Sequence, residues 1–290
     1  MEVHPALRNI ELTGKKALEF GPLNRPIIRE KHGAEIYYLD HCSLEELKSK
    51  YAGHPGTNIE DLMPVNFIAD GRSLREIVGS TAPFDVVVAS HVIEHVPNLI
   101  GWLKDAVSVL DEGGTLALVI PDKRFTFDIY RPLANREEIA AAYAEQRHMP
   151  GLRCIMDHFS NVASVSHVET FHLWEDYRRA ERIPYAHGPE FLSLAAREFA
   201  TGKYVDVHCW VFTPWSFITL VGWMCRDHGL NVDLAHIGTT QRHNLEFIVQ
   251  LRRTSGGSAT DWGQEAESAR GNALWPPGGL AIAHELGIAV

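Results

Sequence analysis

Three carboxylates follow short apolar stretches of the chain: Glu19, with Gly21 close behind it, then Asp40 and Asp70. An acidic side chain about 20 positions after a glycine turn can accept hydrogen bonds from both hydroxyls of a ribose. Asp40 lies 19 positions after Gly21. Asp70 can accept from an adenine amino group, and Gly71 beside it lets a ligand approach closely. Read singly, either aspartate suits a helix N-cap. Together, at successive strand ends, they point to an adenosine-bearing ligand.

A second chemistry lies further on. Of the chain's 16 histidines, His158 (beside Asp157), His167, His172, His187 and His208 crowd the second half. An imidazole with an ordinary pKa of about 6.5 is mostly neutral at cellular pH and can take a proton from a hydroxyl. Any one of these histidines, taken alone, is by default a surface or packing residue. As a cluster, with Trp174, Tyr177, Tyr185 and Trp210 nearby in sequence, they resemble a carbohydrate-type pocket. His158 and His208 are the first candidates for base or substrate ligand, and His167 the next. Asp122 joins them because it stands just past a strand end. A metal-assisted alternative takes Asp122, Asp157 and His158 as ligands to a magnesium-like divalent ion, though no tight ligand spacing marks it.

The elements that must position these groups are legible from pattern. Apolar runs predict strands at Lys16–Phe20, Glu35–Leu39, Val65–Ala69, Phe84–Ala89 and Thr115–Ile120. Helices alternate with them: Asn24–Lys31, one from Ser43 to Tyr51 opened by a Ser43/Glu46 capping box, Ser73–Val78, and Pro97–Leu110. Such alternation implies a parallel sheet with right-handed crossovers, whose ligands bind beyond the carboxyl ends of the strands. After residue 121 the alternation lapses, with helices expected at Glu137–Arg147 and Pro189–Phe199. Thr213-Pro214 reads as a cap opening a helix to His228, and strands at Asn231–Ile237 and Asn244–Leu251 form an antiparallel finish. Residues from 254 on are rich in Gly, Ser and Ala and read as a mobile tail, with Trp275 placed to dock some of it.

Composition narrows the function. A net charge of −10 argues against binding a phosphate backbone. No apolar run reaches the length of a membrane span, and four widely spaced cysteines suit a reduced, cytoplasmic protein.

On these residues the chain resembles the class I S-adenosylmethionine-dependent methyltransferases. Leu18-Glu19-Phe20-Gly21, Asp40, Ala69-Asp70, Ser90-His91-Val92-Ile93-Glu94-His95-Val96 and Leu110-Asp-Glu-Gly-Gly-Thr-Leu carry the likeness, over about 16–120 and 208–252. One departure is that Pro22, Leu23 and Asn24 stand where the family has further glycines. The resemblance implies a Rossmann-like, doubly wound α/β sheet of five parallel strands plus a terminal antiparallel pair, seven in all, with a helical insertion after strand 5. It implies S-adenosylmethionine as cofactor, held by Glu19, Gly21, Pro22, Asp40, Asp70, Gly71, Ser90, His91 and His95. Glu-Phe-Gly-Pro-Leu-Asn-Arg-Pro and Pro-Asp-Lys-Arg-Phe-Thr-Phe-Asp are similar to a bacterial subgroup linked to glycan and polysaccharide modification.

The expected organisation is a lead-in at 1–15, a methyltransferase core at 16–121 and 208–252, an acceptor-binding insertion or lid at 122–207, and a flexible tail at 253–290. The expected function is methylation of a hydroxyl on a sugar or polysaccharide precursor, with a histidine removing the proton. The alternatives are a metal-assisted small-molecule O- or N-methyltransferase, a non-catalytic adenosine-binding regulator and, for the cofactor site, hydride transfer. Expected partners are a small-molecule or oligosaccharide acceptor and no nucleic acid; the insertion serves either as a lid or as a homodimer contact.

Overall fold

The computed structural model describes residues 4–54 and 56–290. Its strands are β1 (Lys16–Phe20), β2 (Glu35–Asp40), β3 (Phe67–Ile68), β4 (Phe84–Ser90), β5 (Leu110–Pro121), β6 (Val232–Gly238) and β7 (Glu246–Arg253). They form one sheet in the order β3-β2-β1-β4-β5-β7-β6. β1 to β5 are mutually parallel, and β7 runs antiparallel to both β5 and β6. This is the Rossmann-like seven-stranded sheet expected of the chain.

Side-chain alternation explains the apolar runs. On β4, Val87 and Ala89 face one layer, while Val86 and Val88 face the other. A strand covered on both faces has no polar side to keep. α1 (Leu44–Tyr51) connects β2 to β3, and the first layer holds α2 (Leu74–Val78) and α3 (Leu99–Ser108), which pack their buried leucines and valines on the sheet. Ser43 and Glu46 cap α1 reciprocally, as their spacing predicts, and Ser73 with Glu76 does the same for α2. The opposite layer is built from the lead-in, whose Ala6, Leu7 and Leu12 join Ile27 and Ile28.

The insertion carries four helices: α4 (Arg136–Ala144), α5 (Leu152–Asn161), α6 (His167–Glu175) and α7 (Pro189–Ala200). After it comes α8 (Pro214–His228), capped by Thr213 and closed by Gly229 in the left-handed region.

Four expectations are corrected here. Asn24–Lys31 forms no α-helix; a three-residue turn of 3₁₀-helix at Glu30–His32 is all that develops. The cause is Glu19, described below. β3 is two residues long rather than five, an edge strand paired only with β2. β5 begins at Leu110, five residues before the expected Thr115, and takes in Asp111–Gly114. Residues beyond 254 are no loose tail: α9 (Trp262–Gly271) packs on α8, and α10 (Gly279–Glu285) closes the insertion's own core through Ala283 and Ile288. Two residues make this docking work. Gly222 has no Cβ, and one built there would stand 2.4 Å from Trp262 Cβ. Trp275 covers the Arg124 guanidinium at 4.7 Å, with Phe125 and Trp215 also about it at 5.0 and 5.1 Å.

Candidate active site

A cleft of about 620 Å³ opens over the carboxyl ends of β1, β2 and β4. Its lining divides chemically. Leu39, Leu74, Ile77, Val92, Val96 and Trp102 are apolar, whereas Asp40, Ser90, His91, His95 and Asp206 are polar.

Gly21 lines it with φ +56°, a backbone region that side chains disfavour, and a Cβ there would meet nothing within 4 Å. The glycine is therefore demanded by the turn itself, which leaves bare backbone facing the cleft. Asp40, only 6% exposed, holds its carboxylate 2.6 Å from His41 Nδ1 and accepts from the His41 backbone N–H at 2.7 Å. Gly71, Ser90, His91 and His95 line the cleft as expected.

Three expected cofactor residues do not. The Glu19 carboxylate turns away and accepts the backbone N–H groups of Ile27 and Ile28 at 2.8 and 2.9 Å. That bond pair ties residues 27 and 28 to the strand end and commits the Ile28 N–H, which a helix from Asn24 would direct to the Asn24 carbonyl. Burial outweighs those bonds and pushes the Glu19 pKa up to about 7. Pro22 is buried and absent from the lining. Asp70 is exposed, its carboxylate gripped by Arg72 through Nε at 2.9 Å and Nη2 at 2.7 Å. The acid that does line the cleft nearby is Asp105 on α3, which accepts from the Leu74 N–H at 2.7 Å. Nothing in the sequence singles out Asp105, the one acid of a largely apolar helix, and only the packing of α3 brings it to the cleft.

At the β4 end the chain gathers histidines and acids from distant segments. Residues 204–210 run beside 94–96: Cys209 and Trp210 donate backbone N–H to the Glu94 carbonyl at 2.5 and 3.1 Å, and Trp210 Nε1 donates to the Val96 carbonyl at 2.7 Å. This lays His208 edge-on against His95, ring centroids 4.7 Å apart. Each imidazole is braced by an acid on one nitrogen. His208 Nδ1 is 2.6 Å from Asp128, His95 Nδ1 is 2.9 Å from Asp206, and His91 Nε2 is 2.8 Å from Glu246. Burial opposes the Asp128 charge, but His208 and Arg131 together hold its pKa down at about 2. Partial desolvation works against the charge on His91 and His95. The Glu246 and Asp206 bonds and the nearby Glu94 charge nonetheless hold both rings above their ordinary value. In their midst Glu94 is fully buried, and neither of its carboxylate oxygens has a hydrogen-bond partner among the described residues.

Behind His208 stands Arg131, which donates to Asp128 at 2.8 Å, Asp157 at 2.9 Å and the His208 carbonyl at 2.9 Å. His158 lies against this guanidinium, its Nδ1 3.5 Å from Nη1. Burial and the Arg131 charge push its pKa down to about 3, so it is a poor base. His158 does not line the cleft, and neither does His167, exposed at the first position of α6. Asp122 is buried elsewhere, paired with Arg124 at 2.5 Å and accepting from Thr240 Oγ1 at 2.6 Å. Asp157 also accepts from Asn161 at 2.8 Å. The expected metal set of Asp122, Asp157 and His158 therefore does not converge. Nor do the four aromatic residues form a sugar platform: Trp174 stacks on Phe125 at 4.0 Å, Tyr177 and Trp210 are buried, and Tyr185 is 60% exposed beside Tyr130.

Glu94, Asp128, Asp206 and Glu246 were absent from the sequence candidates. The first two sit inside quoted motifs, Ser90 to Val96 and Pro121 to Asp128, so their signal was present. Asp206 and Glu246 carry none, being acids in polar stretches brought in by the fold.

The family model described as a methyltransferase domain matches residues 4–235. Among solved structures, an S-adenosylmethionine-dependent methyltransferase from Methanosarcina mazei is similar at 14% identity, covering 88% of this chain and 99% of that one, with a TM-score of 0.41. One from Mesorhizobium loti has 16% identity, 86% and 96% coverage and a TM-score of 0.44. The magnesium protoporphyrin IX methyltransferase of Synechocystis PCC 6803, with S-adenosylhomocysteine bound, has 12% identity, 87% and 80% coverage and a TM-score of 0.39. No curated protein matches the chain. Among the described residues no helix is long and apolar enough to cross a membrane.

Proposed function

The chain belongs to the methyltransferase-domain family and is an S-adenosylmethionine-dependent methyltransferase, and we propose that it methylates a hydroxyl of a sugar-like acceptor. The observation carrying this reading is the meeting of two chemistries in one cleft: an adenosine-type lining, and acid-braced imidazoles at its β4 end. Family membership supports methyl transfer over hydride transfer at the cofactor site.

The cofactor fits the residues present. Asp40 would accept both ribose hydroxyls, and its burial keeps water from competing for them. Leu74, Ile77, Val96 and Trp102 would enclose the adenine, with Asp105 as an acceptor for its amino group. Gly21 and Gly71 would let the ligand lie against bare backbone. Ser90 and His91 would border the methionine side.

S-adenosylmethionine supplies a methyl group already activated on a sulfonium. What the chain must add is alignment of the acceptor and removal of its proton. With Nδ1 committed to Asp206, the neutral form of His95 would offer Nε2 to a hydroxyl in the cleft, while His208, buried beside it and held by Asp128, would back that ring. In the transfer an O–CH₃ bond would form as the S–CH₃ bond breaks, with the bonding pair passing to sulfur, and His95 would take the hydroxyl proton. A polyol suits this end because its lining is polar and Tyr204, 47% exposed, adds an aromatic face for C–H stacking. We assign residues 122–207 to acceptor binding, since His208 and its braces Asp128 and Arg131 border or belong to that segment.

The test is calorimetric titration with S-adenosylhomocysteine, using NAD as control ligand, followed by methyl-transfer assays on hydroxylated sugar precursors. Binding of the first ligand alone and methylation of a sugar hydroxyl would support the reading. Transfer to amines or carbon acids, with sugars inert, would overturn the acceptor assignment.

A further inference from the structure

Glu94 presents an unusual problem of electrostatics. Its carboxylate is fully buried, and neither oxygen accepts a hydrogen bond among the described residues. An ionised carboxylate in that position is heavily penalised unless something positive sits against it. His91 Nδ1 stands 3.5 Å from Oε1 without making a hydrogen bond. The side chains around it have instead been turned so that lone pairs converge. Asp206 accepts a hydrogen bond from Nδ1–H of His95 and Asp128 accepts one from Nδ1–H of His208, which leaves both Nε2 atoms as acceptors in the neutral rings. The ligand atoms of Glu94, His95 and His208 all lie within 4.8 Å of one another. Three lone-pair donors gathered this closely around a buried carboxylate repel each other unless a proton or a cation lies between them.

We infer that Glu94, His95 and His208 bind a divalent transition ion of the zinc class at the β4 end of the cleft. The carboxylate brace on the far nitrogen of each imidazole is the arrangement that fixes ring orientation and raises basicity at metal-bound histidines. Two imidazoles and one carboxylate favour a borderline ion over magnesium, which prefers all-oxygen sites. Small side-chain rotations would close the three atoms onto bonds of about 2.1 Å. Three protein ligands leave a position open, and His95, the half-buried member, gives it access to the cleft. This rests on the hydroxyl-methylation reading above but changes who handles the proton: with the ion bound, the Nε2 lone pairs would hold the metal instead of taking the proton, and the ion would polarise the acceptor hydroxyl. Its proton would then be lost to solvent as the O–CH₃ bond forms and the pair of the breaking S–CH₃ bond passes to sulfur.

The experiment uses chelator-treated full-length protein titrated with Co²⁺, read by its visible absorption and by competition with Zn²⁺. One equivalent should bind. Glu94→Gln and His208→Ala should each weaken binding at least 30-fold, while their affinity for S-adenosylhomocysteine stays within about threefold of the parent and reports that both are folded. Absence of a Co²⁺ spectrum in the parent, or undiminished binding in Glu94→Gln, would overturn the site. The thermal midpoint gives a second readout: Co²⁺ should raise it in the parent and not in Glu94→Gln, and an equal rise in both would also overturn the site. Turnover that is unchanged by chelation and by Co²⁺ would overturn the polarising role. Failure of the methyltransferase reading shows separately, in the S-adenosylhomocysteine titration of the parent.

Discussion

His208 Nδ1 lies 2.6 Å from Asp128 Oδ2, which leaves Nε2 uncommitted in a ring that stands beside His95 and Glu94. The pair joins two stretches 80 residues apart, and Arg131 locks it by donating to Asp128 and to the His208 carbonyl. Asp128 is thus a positioning residue, and Asp128→Asn keeps its shape while removing its charge. Turnover should fall roughly 10- to 100-fold, with affinity for S-adenosylhomocysteine unchanged. Normal turnover would reduce Asp128 to a packing role.

His158 and His208 separate in the same assay. His158, pushed down to about 3 by burial and Arg131, is neutral throughout the working pH range and a weak proton acceptor. His158→Ala should therefore cost less than about tenfold in kcat, whereas His208→Ala should lose two orders of magnitude or more. The reverse ranking would move the chemistry to the α5 side of Arg131.

Asp40 tests the cofactor site without touching the histidines. Hydrogen bonds to a charged acceptor are worth about 1.5–3 kcal/mol, so Asp40→Ala should weaken S-adenosylhomocysteine binding on the order of 10- to 100-fold. Calorimetry on the variant reads this directly, and an unchanged Kd would remove Asp40 from the site.

Glu19 makes stability depend on pH. Its carboxyl titrates at about 7 in the folded chain against 4.5 for an unperturbed glutamate. The folded state therefore holds this proton more tightly than the unfolded one. The resulting stabilisation is fully present below pH 4.5 and is lost as pH rises through 7. At ~1.4 kcal/mol per pKa unit the swing is roughly 3 kcal/mol. Glu19→Gln should flatten the dependence of the urea midpoint between pH 5 and 8, while losing about 1 kcal/mol at the acid end for the poorer match to two backbone donors. A parent whose midpoint is level across that range would contradict the assignment.

The C-terminal helices should prove integral to the fold. Gly222→Ala would drive a methyl into Trp262 Cβ and Cγ, which cannot swing away, and should cost about 1–3 kcal/mol. Trp275→Ala uncovers the buried Arg124 guanidinium and should cost roughly 2–4 kcal/mol. Thermal midpoints check both, and a pair of silent substitutions would restore the picture of a loose tail.

The sequence by itself determined what local physics can write down. Apolar runs buried on both faces marked β1, β2, β4 and β5, capping boxes marked α1, and Thr213-Pro214 marked α8, because those signals depend on residues within a turn or two of each other. Gly21 and Asp40 were legible for the same reason: strand ends and a glycine turn fix where they point. Tertiary structure decided the rest. Glu19 and Asp70 read as ligand-facing acids, but one had backbone donors folded onto it and the other an arginine two residues away. His158 and His208 looked equivalent along the chain. Arg131 beside one pushes its pKa down, and Asp128 beside the other fixes its Nδ1 in a hydrogen bond, through contacts spanning 27 and 80 residues. A charge's partner sets its pKa and its role, and at those separations only the folded chain chooses the partner.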